Sequence, residues 1–466
     1  MNQNVRRVIS AVALTSLAAT MVACQNQQLG PAAGVPRTNV GAQSVNNNRA
    51  MSANAAAIDQ AARSGLNAVP GEFIVKLKPG ATAQAALSQG NVRSLNLQAK
   101  PLGSTQSGFV LMKAAANGMG ALRSGSDAQA LQALQSNPAV LYAEPNYIVK
   151  LNLPANVKQA PVQAAPGSFK PNDPMYAQQY AHQKTASEAG WAIEQGNKDL
   201  ILAIVDTGVD GKHPDLAAKL LPGYNTVDDK PSGQSDGNGH GTHCAGIASA
   251  ITNNGVGVAG YAPNVKILPV KVLSDSGSGS YASVAAGIVY AADNGAKVIS
   301  MSLGGPSNSK VVEEAVKHAL SKGAILIAAM GNDGNGMKSY PAAIQGVMAV
   351  GATDNADKLA RFSQFGTWNS VTAPGVNILA TFPTHASDMP GVNYGSISGT
   401  SMATPAVAGL AALVRSKFPQ LNAAQVKTHI EATSDDLGDP GYDIRFGFGR
   451  INVAKALSTA PGAVRR

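Results

Sequence analysis

Short, nearly unbroken apolar runs recur along the second half of this chain: Leu200 to Val205, Lys266 to Val272, Lys297 to Met301, Ala324 to Ala329 and Val347 to Val350. Each has the length and β-branched content of a strand, and none alternates with polar residues. That is the pattern of strands buried on both faces of a parallel sheet. Parallel neighbours cannot be joined by a tight turn, so helices must run between them. One helix is expected from Ser280 to about Asp293. Another, from Lys310 to Ser321, places Val312, Ala315, Val316 and Ala319 on one face, and Gly323 follows as a stop. The alternation constrains residues 172–458 to an α/β fold, a doubly wound, mostly parallel sheet flanked by helices. Ligands of such folds bind beyond the carboxyl ends of the strands.

The first part of the chain reads differently. Arg6 and Arg7 precede an almost uncharged run of small and apolar residues, Val8 to Ala23. It falls short of the roughly 20 residues that cross a bilayer, so residues 1–24 are expected to be a cleaved export signal. Met21-Val22-Ala23-Cys24 also resembles a bacterial lipoprotein processing site. Two expectations stay open: a secreted protein, or a cell-envelope lipoprotein anchored at Cys24. Residues 25–69 are rich in Gln, Asn, Ala, Gly and Ser. They offer too little apolar surface to offset the entropy of ordering and are expected to form a flexible tether. Over 70–150 a small α+β domain is expected, with strand patterns at Phe73–Leu77, Gly108–Met112 and Val140–Tyr142. A short helix carries Ala128, Leu131 and Leu134. Residues 151–171, with Pro154, Pro161, Pro166 and Pro171, read as an exposed linker open to proteolysis, and 459–466 as a tail.

A formal charge of +9 would suit a nucleic-acid partner if it lay on the main domain. It does not. Residues 172–466 hold 22 Lys and Arg against 23 Asp and Glu, and the basic surplus lies before 172. No nucleic-acid role is expected. The two cysteines, Cys24 and Cys244, sit in such different contexts that no disulfide is expected between them.

Three motifs carry chemistry. Asp206 ends the first apolar run, in Val205-Asp206-Thr207-Gly208; alone it could be a turn or a helix cap. His240 lies among glycines, in Gly237-Asn238-Gly239-His240-Gly241-Thr242-His243; alone it could be a surface histidine in a loop. Ser401, in Gly399-Thr400-Ser401-Met402-Ala403-Thr404-Pro405, meets a helix start, where free N–H groups and the helix dipole favour negative charge. Its ordinary alternative is a cap. The three together, in the order Asp, His, Ser, resemble the subtilisin-like serine protease (subtilase) family, of the thermitase type, over essentially all of 172–458. The domain at 70–150 resembles the family's inhibitory propeptide, chiefly at Glu72 to Leu77 and Glu144-Pro145-Asn146-Tyr147. Ala406 stands where the family usually has His.

The resemblance implies a serine endopeptidase of broad specificity, matured by removing its own propeptide somewhere within 151–171. It implies Ser401 as nucleophile, His240 as general base and acid, Asp206 as its orienting carboxylate, and Asn332 as oxyanion donor. Substrate would lie along Ser302, Leu303 and Gly304 on one side and Ala329 and Gly331 on the other, with Asp333 at a pocket rim. It implies structural calcium on the side chains of Asp173, Asp215 and Asn254 and the carbonyls of Ile251, Val256 and Val258. A second family site, at Asn225 and Asp228, is spoiled by Lys230. No organic cofactor is implied. The partners are protein and peptide substrates and the propeptide, with the enzyme a monomer. His213 and His243 are implied to be structural, while His182, His318, His385 and His429 are expected at the surface.

Overall fold

The computed structural model describes residues 52–102, 108–114, 124–157, 159 and 169–463. The expected export signal, Cys24 and the first part of the expected tether lie outside them.

All five apolar runs are strands of one sheet. Its order is Asn369–Pro374, Met348–Thr353, Ile325–Ala329, Val298–Met301, Ile201–Asp206, Lys266–Lys271, Tyr224–Asn225, Lys230–Pro231. Only the last pair is antiparallel. The unbroken runs follow from alternate residues feeding two cores. Leu202 and Ile204 join one hydrophobic cluster, and Ala203 and Val205 join the other on the opposite face. From Ile201–Asp206 the chain passes to Lys266–Lys271 on one side and then crosses to Val298–Met301 on the other. The topological switch point therefore lies beside Asp206, where a crevice opens. The helix Thr400–Lys417 is buried from Thr400 to Val414, which its apolar character on every face requires. Asn369–Pro374 and Tyr224–Asn225 carry too few apolar residues to have been expected as strands.

The preceding domain is an antiparallel sheet ordered Leu97–Pro101, Phe109–Ala114, Ala68–Leu77, Val140–Lys150. The helix Ser124–Gln135 packs on it, and its own small core includes Phe73, Val75, Met112 and Leu134. The tether expectation fails over its last part. Ala53–Arg63 is a helix, capped by Ser52 Oγ on the Ala55 N–H and favoured by its alanines. It buries Ile58 and Asp59, so docking supplies the ordering energy that its composition alone does not.

This domain's sheet is completed by the other. Ile148, Val149 and Lys150 pair antiparallel with Ser280, Gly279 and Ser278. Two side chains of the same strand cap helices of the α/β domain. Glu144 accepts from Ser309 Oγ (2.7 Å) and from the N–H groups of Lys310 (3.0 Å) and Val311 (3.1 Å) at the start of Lys310–Ser321. Asn146 Oδ1 accepts from the Ala282 N–H (3.0 Å) at the start of Tyr281–Asp293. Anionic and amide oxygens at helix N-termini satisfy donors that have no intrahelical partner.

Candidate active site

Asp206 and His240 meet at the switch point. Asp206 Oδ1 lies 2.7 Å from His240 Nδ1, and both side chains are fully buried. Gly241 permits this approach: a Cβ there would stand 2.1 Å from the Gly208 carbonyl oxygen and 3.1 Å from Asp206 Cβ. Burial opposes protonation of His240, but the adjacent Asp206 carboxylate and Cys244 together outweigh it and raise the imidazole well above its usual value. The other ring nitrogen, Nε2, is buried and has no hydrogen-bond partner among the described residues.

A buried carboxylate that the motifs did not single out holds this pair in place. Asp236 Oδ1 accepts from Thr207 Oγ1 (2.8 Å) and the Gly239 N–H (2.7 Å). Its Oδ2 accepts from the Thr242 N–H (2.9 Å) and Oγ1 (2.6 Å). One side chain thereby ties the turn after Asp206 to the start of the His240 helix. Lys271, opposite Asp206 in the sheet, donates to the Thr207 carbonyl (2.6 Å) and to Asp275 (2.8 Å). The only available signal for Asp236 was its place four residues before His240.

Ser401 sits in the first turn of Thr400–Lys417. Pro405, one turn on, lacks an N–H, so the Ser401 carbonyl is released from the helical ladder. It accepts instead from Ser302 Oγ (2.7 Å) and lies 3.6 Å from Cys244 Sγ. The Ser401 hydroxyl donates to the Ser302 carbonyl (3.1 Å). The expected hydrogen-bonded relay is thus joined from Asp206 to His240, while Ser401 rests on Ser302. Cys244 bridges the two elements, with Sγ 3.9 Å from His240 Nδ1.

Asn332 is aimed by Thr400, whose N–H and Oγ1 both donate to Asn332 Oδ1 at 2.9 Å. That leaves Nδ2 facing the crevice, where it donates to the carbonyl of Asn152 at 2.7 Å. Ser302, Leu303, Gly304, Ala329 and Gly331 all line one groove of about 360 Å³ with Ser401 and Asn332.

Residues 197–449 match the Subtilase family, and residues 54–146 match the Fervidolysin N-terminal prodomain. The chain belongs to the subtilase family. It is 42% identical over 338 residues to the thermophilic serine proteinase of Bacillus sp. (strain AK1), covering 72% of this chain and 77% of that one. It is 46% identical over 290 residues to thermitase of Thermoactinomyces vulgaris, covering 62% of this chain and 99% of thermitase. Among solved structures it superposes on fervidolysin from Fervidobacterium pennivorans, described as a keratinolytic enzyme related to subtilisin. The TM-score is 0.73 at 29% identity, covering 85% of this chain and 62% of that one. This subtilase is a serine endopeptidase with an N-terminal prodomain, and that prodomain begins within the segment expected to be a tether.

Among the described residues, the strand pairing of this subtilase's prodomain end runs to Gly277–Ser280. Besides the pairing above, the Leu151 N–H donates to the Gly277 carbonyl at 2.9 Å. A Gly-Ser run has no apolar periodicity, which is why the sequence did not announce this edge.

The expected calcium residues also converge. Asp173 accepts from the N–H groups of Asn253 (2.8 Å) and Asn254 (3.2 Å). Asp215 accepts from Asn254 Nδ2 (2.9 Å), the Val258 N–H (3.0 Å) and the Tyr394 hydroxyl (3.0 Å). Burial, with Asp215 adding, raises the Asp173 carboxyl above its usual range. Neither carboxylate has a salt-bridge partner among the described residues. At Asn225 and Asp228, by contrast, Lys230 Nζ lies 3.0 Å from Asp228 Oδ2.

Two histidines overturn the surface expectation. His182 is buried between Ser187 Oγ and the Ala259 carbonyl, each at 3.1 Å, and burial lowers it to about 4. His429 is buried against the Ala456 carbonyl at 2.7 Å. His385 is exposed and His318 half-buried. His213 and His243 are buried, and burial pushes both below their usual value.

Proposed function

We propose that this subtilase is exported as a precursor, removes its own prodomain, and then cleaves unfolded or extended protein chains with broad specificity. Ser401 Oγ attacks the peptide carbonyl, and His240 Nε2 takes its proton and returns it to the leaving amine. Asp206 holds the Nδ1–H tautomer and stabilises the imidazolium. Asn332 Nδ2 and the backbone N–H of Ser401, a helix-start donor without an intrahelical partner, receive the developing oxyanion. The observation that carries this reading is the Asn152 carbonyl held on Asn332 Nδ2. A peptide oxygen rests on the very donor proposed for the oxyanion. Attack requires the Ser401 hydroxyl to leave the Ser302 carbonyl for His240 Nε2. Broad specificity follows from recognition through main-chain pairing, which any extended peptide can satisfy.

Asp173, Asp215 and Asn254, with the carbonyls of Ile251, Val256 and Val258, form the calcium site of the same proposal. Bound calcium would neutralise two facing carboxylates. The arrangement fits a hard cation because the site offers oxygen donors and neither carboxylate is ion-paired among the described residues. Export rests on residues 1–24, and mass spectrometry of the exported protein's N-terminus separates release from anchoring at Cys24.

The test compares the full chain with Ser401→Ala. Wild type should shorten and digest added denatured protein, and the variant should do neither. Equal shortening of both would defeat self-processing.

A further inference from the structure

We propose that the first bond this protein cuts is its own Asn152–Leu153 peptide bond. The inference rests on the reading of Ser401 as nucleophile and adds the bond. The chain lies through the groove as a substrate does. Before the bond, Ile148–Lys150 adds as a strand to Ser278–Ser280 and Leu151 continues the pairing on Gly277. At the bond, the Asn152 carbonyl accepts from Asn332 Nδ2, and its side-chain amide donates to Asp333 Oδ1 at 3.2 Å. After the bond, a second set of contacts takes over. Asn156 Nδ2 donates to the Ser396 carbonyl (2.7 Å) while its Oδ1 accepts from Ser398 Oγ (2.6 Å). The Val157 N–H donates to Asn377 Oδ1 (3.2 Å), and Asn377 Nδ2 donates back to the Val157 carbonyl.

Holding an extended chain on both sides of one carbonyl selects that carbonyl for attack, because proximity and orientation replace a diffusional encounter. Pro154 follows one residue beyond the bond and stiffens the departing strand. In the cut, Ser401 Oγ bonds to the Asn152 carbonyl carbon as its proton passes to His240 Nε2. The carbon–nitrogen bond to Leu153 then breaks, with that proton going to the Leu153 amine. Water attacks the acyl-serine in turn, leaving Asn152 with a carboxylate and restoring the serine hydroxyl. Among the described residues of the 151–171 linker, Asn152 is the one whose carbonyl accepts from Asn332 Nδ2.

The experiment follows the full chain at early times by intact mass and by labelling of new N-termini, over an about hundredfold range of protein concentration. The expected first products end at Asn152 and begin at Leu153, with a rate constant independent of concentration. A first new N-terminus elsewhere would overturn the bond while leaving self-processing intact. Cleavage of Ser401→Ala at the same bond and rate would overturn self-processing itself. Leu153→Pro places an imide nitrogen at the leaving position and should slow the first cut at least hundredfold; an unchanged rate at that bond would refute the assignment. Asn377→Ala, which removes the side-chain contacts to Val157 on the departing side and to Ser398, should slow it severalfold with the same products, whereas an unaltered rate would show that those contacts do not position the bond.

Discussion

The two sheets of this subtilase are built on opposite terms. The parallel sheet is buried on both faces, one in a core of its own domain and the other in a core that prodomain residues help to fill; Asp206, His240 and Ser401 are held by buried contacts within the larger domain. The prodomain sheet has a small core of its own on one face, around Phe73, Val75 and Met112, and its other face sends Ile74, Phe109 and Leu111 into a core of the neighbouring domain. It borrows an edge strand, Ser278–Ser280, and places Glu144 and Asn146 on helix starts that belong to its neighbour. The difference teaches that the chemistry is internal to the larger domain, while the prodomain's stability and grip belong to the interface. Each can therefore be damaged without the other.

The largest damage should come from Asp206→Asn, which leaves the geometry close to intact but presents the wrong hydrogen-bonding group to His240 Nδ1. Turnover should fall on the order of 10⁴-fold. The pH profile should move as well. The neutral imidazole is the working form, so wild-type kcat/KM should rise with pH through a value above the ordinary 6.5 of histidine. Without the carboxylate, burial is opposed only by Cys244 and the acid limb should shift to lower pH; an unmoved limb would break the assignment of Asp206. Prodomain folding, followed by circular dichroism of the intact precursor, should be unchanged.

Asn332→Ala should cost about a hundred- to thousandfold in kcat with little change in KM, the range seen when a subtilisin loses such a donor. A loss confined to KM would mean that Asn332 binds the ground-state carbonyl as strongly as the transition state.

The proposed calcium site sharpens the contrast between two acidic loops within the larger domain. At Asp228 a lysine already forms an ion pair, whereas neither Asp173 nor Asp215 forms one among the described residues. Chelation should lower the thermal midpoint, corresponding to about 2.7 kcal/mol if the ion is supplied at a hundred times its dissociation constant. Asp215→Asn should abolish that response and Asp228→Asn should not; a chelator response retained in Asp215→Asn would place the ion elsewhere.

The smallest effect tests the interface alone. Glu144→Ala removes the cap on Lys310–Ser321 and should weaken inhibition by added prodomain by about 1–2 kcal/mol, or roughly 5- to 30-fold. The kcat of the processed protease should stay the same, and a change there would show that the cap also shapes the site.

Much of this was legible in sequence because it is local. Five strands announced themselves as apolar runs, since burial on both faces leaves no room for alternation. Three short motifs pointed to Asp206, His240 and Ser401, since glycine and helix-start chemistry lies within a few residues of each. The helix at Ala53–Arg63 did not announce itself, because its apolar face is thin and docking orders it. His182 and His429 were misplaced for a related reason: nothing nearby in sequence shows that a distant carbonyl accepts from an imidazole.

The sequence by itself determined the α/β class, the chemical groups available and their order along the chain, because period, turn chemistry and motif are short-range properties. Only the tertiary structure decided that Asp236 ties two of those motifs together, that Pro405 frees the Ser401 carbonyl for Ser302, and that Asn152 rests on Asn332. Those are contacts between residues far apart in the chain, and they exist only once burial has brought the strand ends and helix starts to one crevice.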